Sequence, residues 1–218
     1  MVGWIIVGII IFLVNTIILI CIGDWIIVGF AKPDFQKKEV AKEYLIKVKN
    51  RMDIQKNTEC SGYSSAHVLR SFGIEASGKE LYKKMPGKLS NGAVLPRNLK
   101  KCLEQMGFKV SFRSGNKETL KAELCKGNRV IAFVRTRLGR KWLHYVSVVG
   151  YNEKEVFIAD SLDETINCDE EFFNRRLPWE EFMKYWNIRE IYLPFYKYTY
   201  LVIEKPETNG EEETPSEE

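Results

Sequence analysis

The sequence predicts an α+β domain preceded by one transmembrane helix, and three observations carry that expectation. Residues 4 to 22 are almost wholly apolar, helical signals fill the first part of the polar region, and strand signals fill the part after it. Helices followed by a largely antiparallel sheet, rather than regular alternation of the two, is an α+β order.

The apolar run is mostly Ile, Val, Leu and Phe, broken only by Asn15 and Thr16, and apolar character resumes from Trp25 to Phe30. About 20 such residues suffice to span a bilayer, and Trp4 and Trp25 stand where interfacial anchors belong. No Lys or Arg precedes the run and no small-x-small site follows it, so residues 1–31 read as an uncleaved, single-pass cell-membrane anchor with lipid as its partner. Lys32, Lys37, Lys38, Lys42, Lys47 and Lys49 all follow the span. Positive charge stays on the cytoplasmic side, which places the domain in the cytosol, with an exported domain as the rival reading. Residues 32–51 form a stalk, with a polar helix expected over Asp34 to Asn50 that carries Val40, Tyr44 and Val48 on one face.

Residues 52–203 form the domain. Its first helix runs from about Cys60 to Phe72, and Ser77-Gly-Lys-Glu80 is a capping box that opens a short second helix. Pro96 opens a third helix, with Leu99, Cys102, Leu103 and Met106 on one face, and Gly107 ends it. A strand over Lys109 to Arg113 is followed by a helix from about Asn116 to Lys126. The β-branched and aromatic runs Arg129 to Arg135, Leu143 to Tyr151 and Glu155 to Asp160 are strands, the last two joined by a turn at Asn152-Glu-Lys154. The basic run Arg135-Thr-Arg-Leu-Gly-Arg-Lys141 reads as a solvated hairpin loop.

The tail, 204–218, holds seven Glu against one Lys and no large hydrophobe, a composition that favours disorder. Removing its −6 from the whole-chain +4 leaves +10 on residues 1–203, a basic body suited to an anionic leaflet. No basic-aromatic motif of a nucleic-acid reader is present, so nucleic acid is not an expected partner. Five cysteines, one inside the apolar run, suggest no disulfide framework.

Among the cysteines, Cys60 alone sits at a helix entry, where the macrodipole and unpaired N–H groups favour a thiolate. Cys102 and Cys125 fall on apolar helical faces and read as core, Cys21 is in the apolar run, and Cys168 is in a polar loop. A thiolate nucleophile needs an imidazole to take its proton, and the chain has only His67 and His144. His67 lies two turns along the same helix, roughly 10 Å away, and reads as a packed residue. His144 lies on a strand that can cross from elsewhere, so the expected pair is Cys60 and His144. Hairpin arithmetic returns Asp160 to within a residue or two of the position opposite His144, where a carboxylate would orient the ring. Gln55, just upstream of the nucleophile, carries an amide that can donate to an oxyanion.

Taken together, Gln55-x4-Cys60, Gly92-x-x-x-Pro-x-x-Leu99, Met106-Gly-Phe108, Leu143-His-Tyr-Val-Ser-Val-Val-Gly-Tyr151 and Phe157-Ile-Ala-Asp-Ser161 resemble the papain-like cysteine peptidases of the bacteriocin-leader-processing family. The resemblance runs from about Met52 to Trp186. It implies a papain-like fold, peptide or protein substrates, no metal or organic cofactor, and the roles of oxyanion donor, nucleophile, base and orienter for Gln55, Cys60, His144 and Asp160. It also implies cleavage after small residues and an export transporter as a partner. The chain departs from the pattern at Glu59-Cys60-Ser61-Gly62, where the family often has Asp-Cys-Gly. Cys60-Ser61-Gly62 also resembles the nucleophile run of papain-like cell-wall endopeptidases, which stands as an alternative beside a non-catalytic peptide-binding relative.

Overall fold

The structure, a computed structural model, describes residues 2–28, 40–139, 142–190 and 193–204. Its centre is a seven-stranded, wholly antiparallel sheet ordered β2-β7-β3-β4-β5-β6, with β1 paired to β4 off that path. The strands are β1 (Tyr44–Leu45), β2 (Val110–Ser114), β3 (Arg129–Arg135), β4 (Leu143–Tyr151), β5 (Glu155–Ala159), β6 (Arg175–Pro178) and β7 (Thr199–Ile203). The helices are α1 (Val2–Val28), α2 (Cys60–Ser71), α3 (Gly78–Lys84), α4 (Pro96–Gln105), α5 (Lys117–Cys125) and α6 (Trp179–Trp186).

Period-2 alternation on β3 explains the layering. Ile131 and Phe133 face α2, α3 and α4, where they pack with Leu69, Leu81, Leu99 and Leu103. Val130, Ala132 and Val134 face the other way, against Leu120 and Leu124 of α5 and Phe182 and Trp186 of α6. The sheet is thus covered on both sides by helices, and the α+β order expected from the sequence is the order found.

Local signals place most elements. Pro96 is at the first turn of α4, and Gly107 follows that helix at φ +90°, a value that suits a residue without Cβ. Asn116 caps α5 in a reciprocal box with Thr119. Only half of the box expected at α3 forms: Ser77 accepts from the Glu80 N–H, while the Glu80 carboxylate pairs with Lys83.

One expectation is corrected. The polar helix expected over 34–50 is absent from its described part, where Tyr44–Leu45 is a strand against Tyr151 and Gly150 and the Ile46 N–H donates to Val149 O. The i, i+4 spacing of Val40 and Tyr44 suits a helix, but an open length of β4 beyond the start of β3 offers the backbone a partner, and β1 takes it. Among the described residues no helix is long and apolar enough to cross a membrane. The α1 side chains are described for 3–19 and Ile22. Residues 29–31 of the expected anchor, Lys32, Lys37 and Lys38 of the stalk, and 205–218 of the tail lie outside the described residues.

Candidate active site

The site is built where α2 begins and β4 enters the sheet. Cys60 is the first residue of α2, and its N-cap, Glu59, supplies no side-chain cap, so the first-turn amides remain the positive end of the helix. The helix is seated against α3 by two glycines. A Cβ on Gly62 would lie 2.6 Å from Tyr82 Cβ and 2.7 Å from Tyr82 N, and one on Gly78 would lie 2.6 Å from Tyr63 Cγ. Gly62 therefore serves helix packing in the run Cys60-Ser61-Gly62.

His144 is buried on β4 and sits between Cys60 and Asp160. Its Nε2 is 2.7 Å from Asp160 Oδ1, and Cys60 is near enough to favour the protonated ring. With Nε2 turned to the carboxylate, Nδ1 is the nitrogen left for sulfur. Burial opposes a charge on this ring, but the charge and hydrogen bond of Asp160, reinforced by Cys60, outweigh it and raise the His144 pKa to about 10. Burial likewise works against the Asp160 carboxylate. The neighbouring His144 and Arg175, with the Leu162 N–H, overcome it and hold the group well below the usual carboxylate range.

A β-bulge puts Asp160 on the correct side. Gly150 pairs with Phe157 but Val148 pairs with Ile158, so the register shifts by one residue at Val149. Beyond the bulge Ser147 pairs with Ala159. One residue further, Asp160 stands across from Val146 and shares a face with His144. Without the shift it would stand across from Ser147, which points at α2 and donates to Ser64 O.

Gln55 arrives from the loop before α2. Its backbone N–H donates to Ser161 O at 2.8 Å, its Oε1 accepts from Ser161 Oγ at 2.8 Å, and its Nε2 donates to Asn57 O. His144 and Asp160 are therefore hydrogen-bonded with Cys60 beside them, and Gln55 is tied to Ser161, the residue after Asp160.

The peptidase C39 family model matches residues 49–188. The chain belongs to the peptidase C39 family. No curated protein matches it. Among solved structures, a C39-like peptidase from Bacillus anthracis is similar at 15% identity and TM-score 0.57, over 76% of this chain and 98% of the other. The peptidase domain of Streptococcus ComA, a bifunctional ABC transporter involved in a quorum-sensing pathway, is similar at 12% identity and TM-score 0.53, over 72% and 98%. These two share its fold. This C39 chain is a cysteine-type peptidase with the α+β, antiparallel-sheet architecture of that family.

The C39 peptidase also carries supports that the sequence reading did not single out. Asp160 Oδ2 accepts from Thr165 Oγ1 and Arg175 Nη1, each at 2.8 Å, and Oδ1 accepts a second bond from the Leu162 N–H at 3.0 Å. The Asp160 N–H donates to Asn174 Oδ1, and Asp160 O accepts from Asn174 Nδ2, each at 2.8 Å. Alternation was the available signal: Arg175 and Leu177 of β6 are buried and Arg176 is exposed. An Arg in phase with Leu177 marks a buried cation that needs a partner.

The remaining candidates fall outside the array. His67 is buried along α2 with Nε2 unpartnered, and burial, with Arg70 and Arg129 nearby, pushes its pKa down to about 3. It lines a small cleft that touches Asp160 and Ser161 but neither Cys60 nor His144. Cys102 is buried in the core, whereas Cys125 is half-buried with its sulfur 3.0 Å from Tyr151 Oη, and Cys168 is half-buried. In the basic hairpin, Arg135 pairs with Glu190 and Arg137 with Glu164; Arg140 and Lys141 lie outside the described residues. Among the described residues no three or more His, Cys, Asp or Glu side chains are grouped as metal ligands would be.

Proposed function

We propose that this peptidase cleaves an extended precursor peptide after small residues through an acyl-enzyme, with Cys60 as nucleophile, His144 as acid and base, Asp160 as orienter and Gln55 as oxyanion donor. The observation that carries the reading is the buried His144–Asp160 hydrogen bond beside Cys60 at the entry of α2. Cys60 sulfur attacks the scissile carbonyl carbon while the carbonyl π electrons move to oxygen, where the Gln55 amide donates. Collapse expels the amine, which takes the proton from His144, and leaves a thioester on Cys60. Water, giving its proton back to His144, then releases the acid and the thiol. Asp160 keeps Nε2 engaged throughout, and its ionised state favours the imidazolium.

The substrate class follows from the resemblance to leader-processing peptidases, which cut after paired small residues, commonly Gly-Gly. A narrow cleft beside the Cys60 helix would admit Gly where larger side chains clash. We extend the reading to a cell-membrane location through residues 1–31, a cytosolic catalytic domain, and an export transporter as partner. The apolar side chains described on α1 support the membrane part, for Trp4, Phe12 and Leu19 are 83%, 71% and 70% exposed and an apolar medium would cover them.

A peptide-library digest with the purified protein tests the substrate class. Cleavage after Gly-Gly, with poor cleavage when Leu replaces the residue before the cut, is the expected outcome; cleavage only after bulky residues would remove leader processing. Protease added outside intact cells should spare the domain. Its digestion there would reverse the orientation and favour action on the cell wall.

A further inference from the structure

We propose that Arg175 is a positioning residue for the Cys60 and His144 pair: together with Thr165 it holds Oδ2 of Asp160, so that Oδ1 stays turned to His144. The inference rests on the catalytic reading above. Arg175 reaches the carboxylate from the neighbouring strand. It pairs in register with Ile158, which by alternation shares its face with Asp160. The two side chains are 5% and 0% exposed, and Nη1 lies 2.8 Å from Oδ2. The Tyr185 ring of α6 backs the guanidinium, with its centroid 5.4 Å away. The preceding residue, Asn174, holds the backbone of the same aspartate from both sides. One dipeptide of β6 and its approach thus grips Asp160 at main chain and side chain. With two donors on each carboxylate oxygen of a side chain that is 0% exposed, rotation of the group breaks bonds.

The catalytic cycle gives this grip its purpose. While His144 is an imidazolium, Asp160 has a cation on either side. When His144 passes its proton to the leaving amine, that counter-ion is gone, and a buried carboxylate with no positive partner would take up a proton or turn away. Arg175 is the charge that remains. Other titratable groups face the array without replacing it. Cys60 lies beyond His144, and Arg51, Asp53, Tyr63, His67 and Arg70 line the small cleft that touches Asp160. Arg51 and Arg70 are both paired with Asp53.

The test uses the full chain as wild type, Arg175→Met and Arg175→Lys, with thermal melts to report folding. The rate of Cys60 alkylation by iodoacetamide is followed from pH 3 to 9, and kcat and KM are measured separately on a Gly-Gly peptide that the wild type cleaves. Arg175 lowers the Asp160 pKa, so its loss raises it, and Asp160 then protonates at a higher pH. The expected result in Arg175→Met is an acid limb moved up by about one pH unit and kcat reduced at least about tenfold, below the ~10⁴ attached to an orienting carboxylate itself. KM stays within about twofold because Arg175 does not meet substrate, and Arg175→Lys restores most of both changes.

An unchanged limb and kcat in folded Arg175→Met overturns the proposal. So does a loss that follows the melting temperature alone and that Lys does not relieve. If Arg175→Met does not fold, Thr165→Val removes the other donor to Oδ2 and should move the same limb the same way by less; no movement there overturns the proposal. A wild-type Cys60 that alkylates no faster than Cys102 rejects the catalytic reading itself, separately from Arg175.

Discussion

Ser161 donates its hydroxyl to Oε1 of Gln55 at 2.8 Å across a separation of 106 residues. Donation from Gln55 Nε2 to Asn57 O, a carbonyl that only accepts, fixes which end of the amide is oxygen, and a further bond, Gln55 N–H to Ser161 O, fixes the backbone. In its proposed role as oxyanion donor, a Gln55 that swung freely would lose entropy in the transition state, whereas the bonded side chain is held beforehand. Gln55→Ala should therefore lower kcat by about 10² to 10³, and Ser161→Ala by less, roughly tenfold, with KM little changed in both. Steady-state kinetics on one cleaved peptide checks this. A Ser161→Ala enzyme with unaltered kcat would show that Gln55 is positioned by other means.

In the proposed mechanism nucleophile and base act as a unit, because one proton passes between them. Cys60→Ala and His144→Ala should each cost at least ~10³-fold in kcat/KM, the double variant little more, and Asp160→Asn less than either. Iodoacetamide should label Cys60 ahead of Cys102 and Cys125, as read by peptide mass mapping. Faster labelling of Cys102, which is buried with its thiol pushed up by burial, would contradict the assignment of the nucleophile.

Gly62 and Gly78 meet where α2 crosses α3, and neither has room for a methyl group. Gly62→Ala forces the helices apart, because the obstructing atoms include Tyr82 backbone nitrogen and not merely a flexible side chain. A loss of about 1 to 3 kcal/mol is expected, visible as a lower urea midpoint at constant m-value. Since Cys60 is on the same turn of α2, activity should fall further than the unfolded fraction explains.

The two histidines should oppose each other in pH dependence. His144 is raised from 6.5 to about 10, so its contribution to stability is complete below about pH 6.5 and disappears as pH rises through about 10. Asp160 is lowered from 3.8, so its contribution is present above about pH 4 and disappears on acidification below that. His67 is lowered from 6.5 to about 3, so below pH 6.5 the unfolded chain takes up a proton that the folded one refuses. Between pH 6.5 and 4.5 only His67 of these three contributes a slope, up to ~1.4 kcal/mol per pH unit. Urea melts at pH 6.5 and 4.5 should show wild type losing stability and His67→Gln losing clearly less. Equal losses would mean that His67 is already charged in the folded protein.

Residues near one another in the chain were largely sufficient to define the elements of the site. The single helix entry among the cysteines marks Cys60, and α2 does begin there. Runs of β-branched and aromatic residues mark Arg129–Arg135 and Leu143–Tyr151, both found as strands over those spans. Such signals are legible because they are properties of the local chain. The region after Asp160 was not legible in that way, and β6, α6 and β7 have no counterpart in the sequence reading.

What the sequence by itself determined is the inventory: one cysteine at a helix entry, two candidate imidazoles, and a carboxylate that a hairpin returns to one of them. The tertiary structure decided how they meet. The bulge at Val149 selects the face of Asp160, since a shift of one residue exchanges the two sides of a strand. It also set β7 between β2 and β3, made Tyr44–Leu45 a strand, joined Gln55 to Ser161, and buried Arg175 against Asp160. The physical reason is the same in each case. A strand's register and neighbour, and the burial of a charge, depend on groups far away in the chain, whose energies are realised only when the sheet has closed around them.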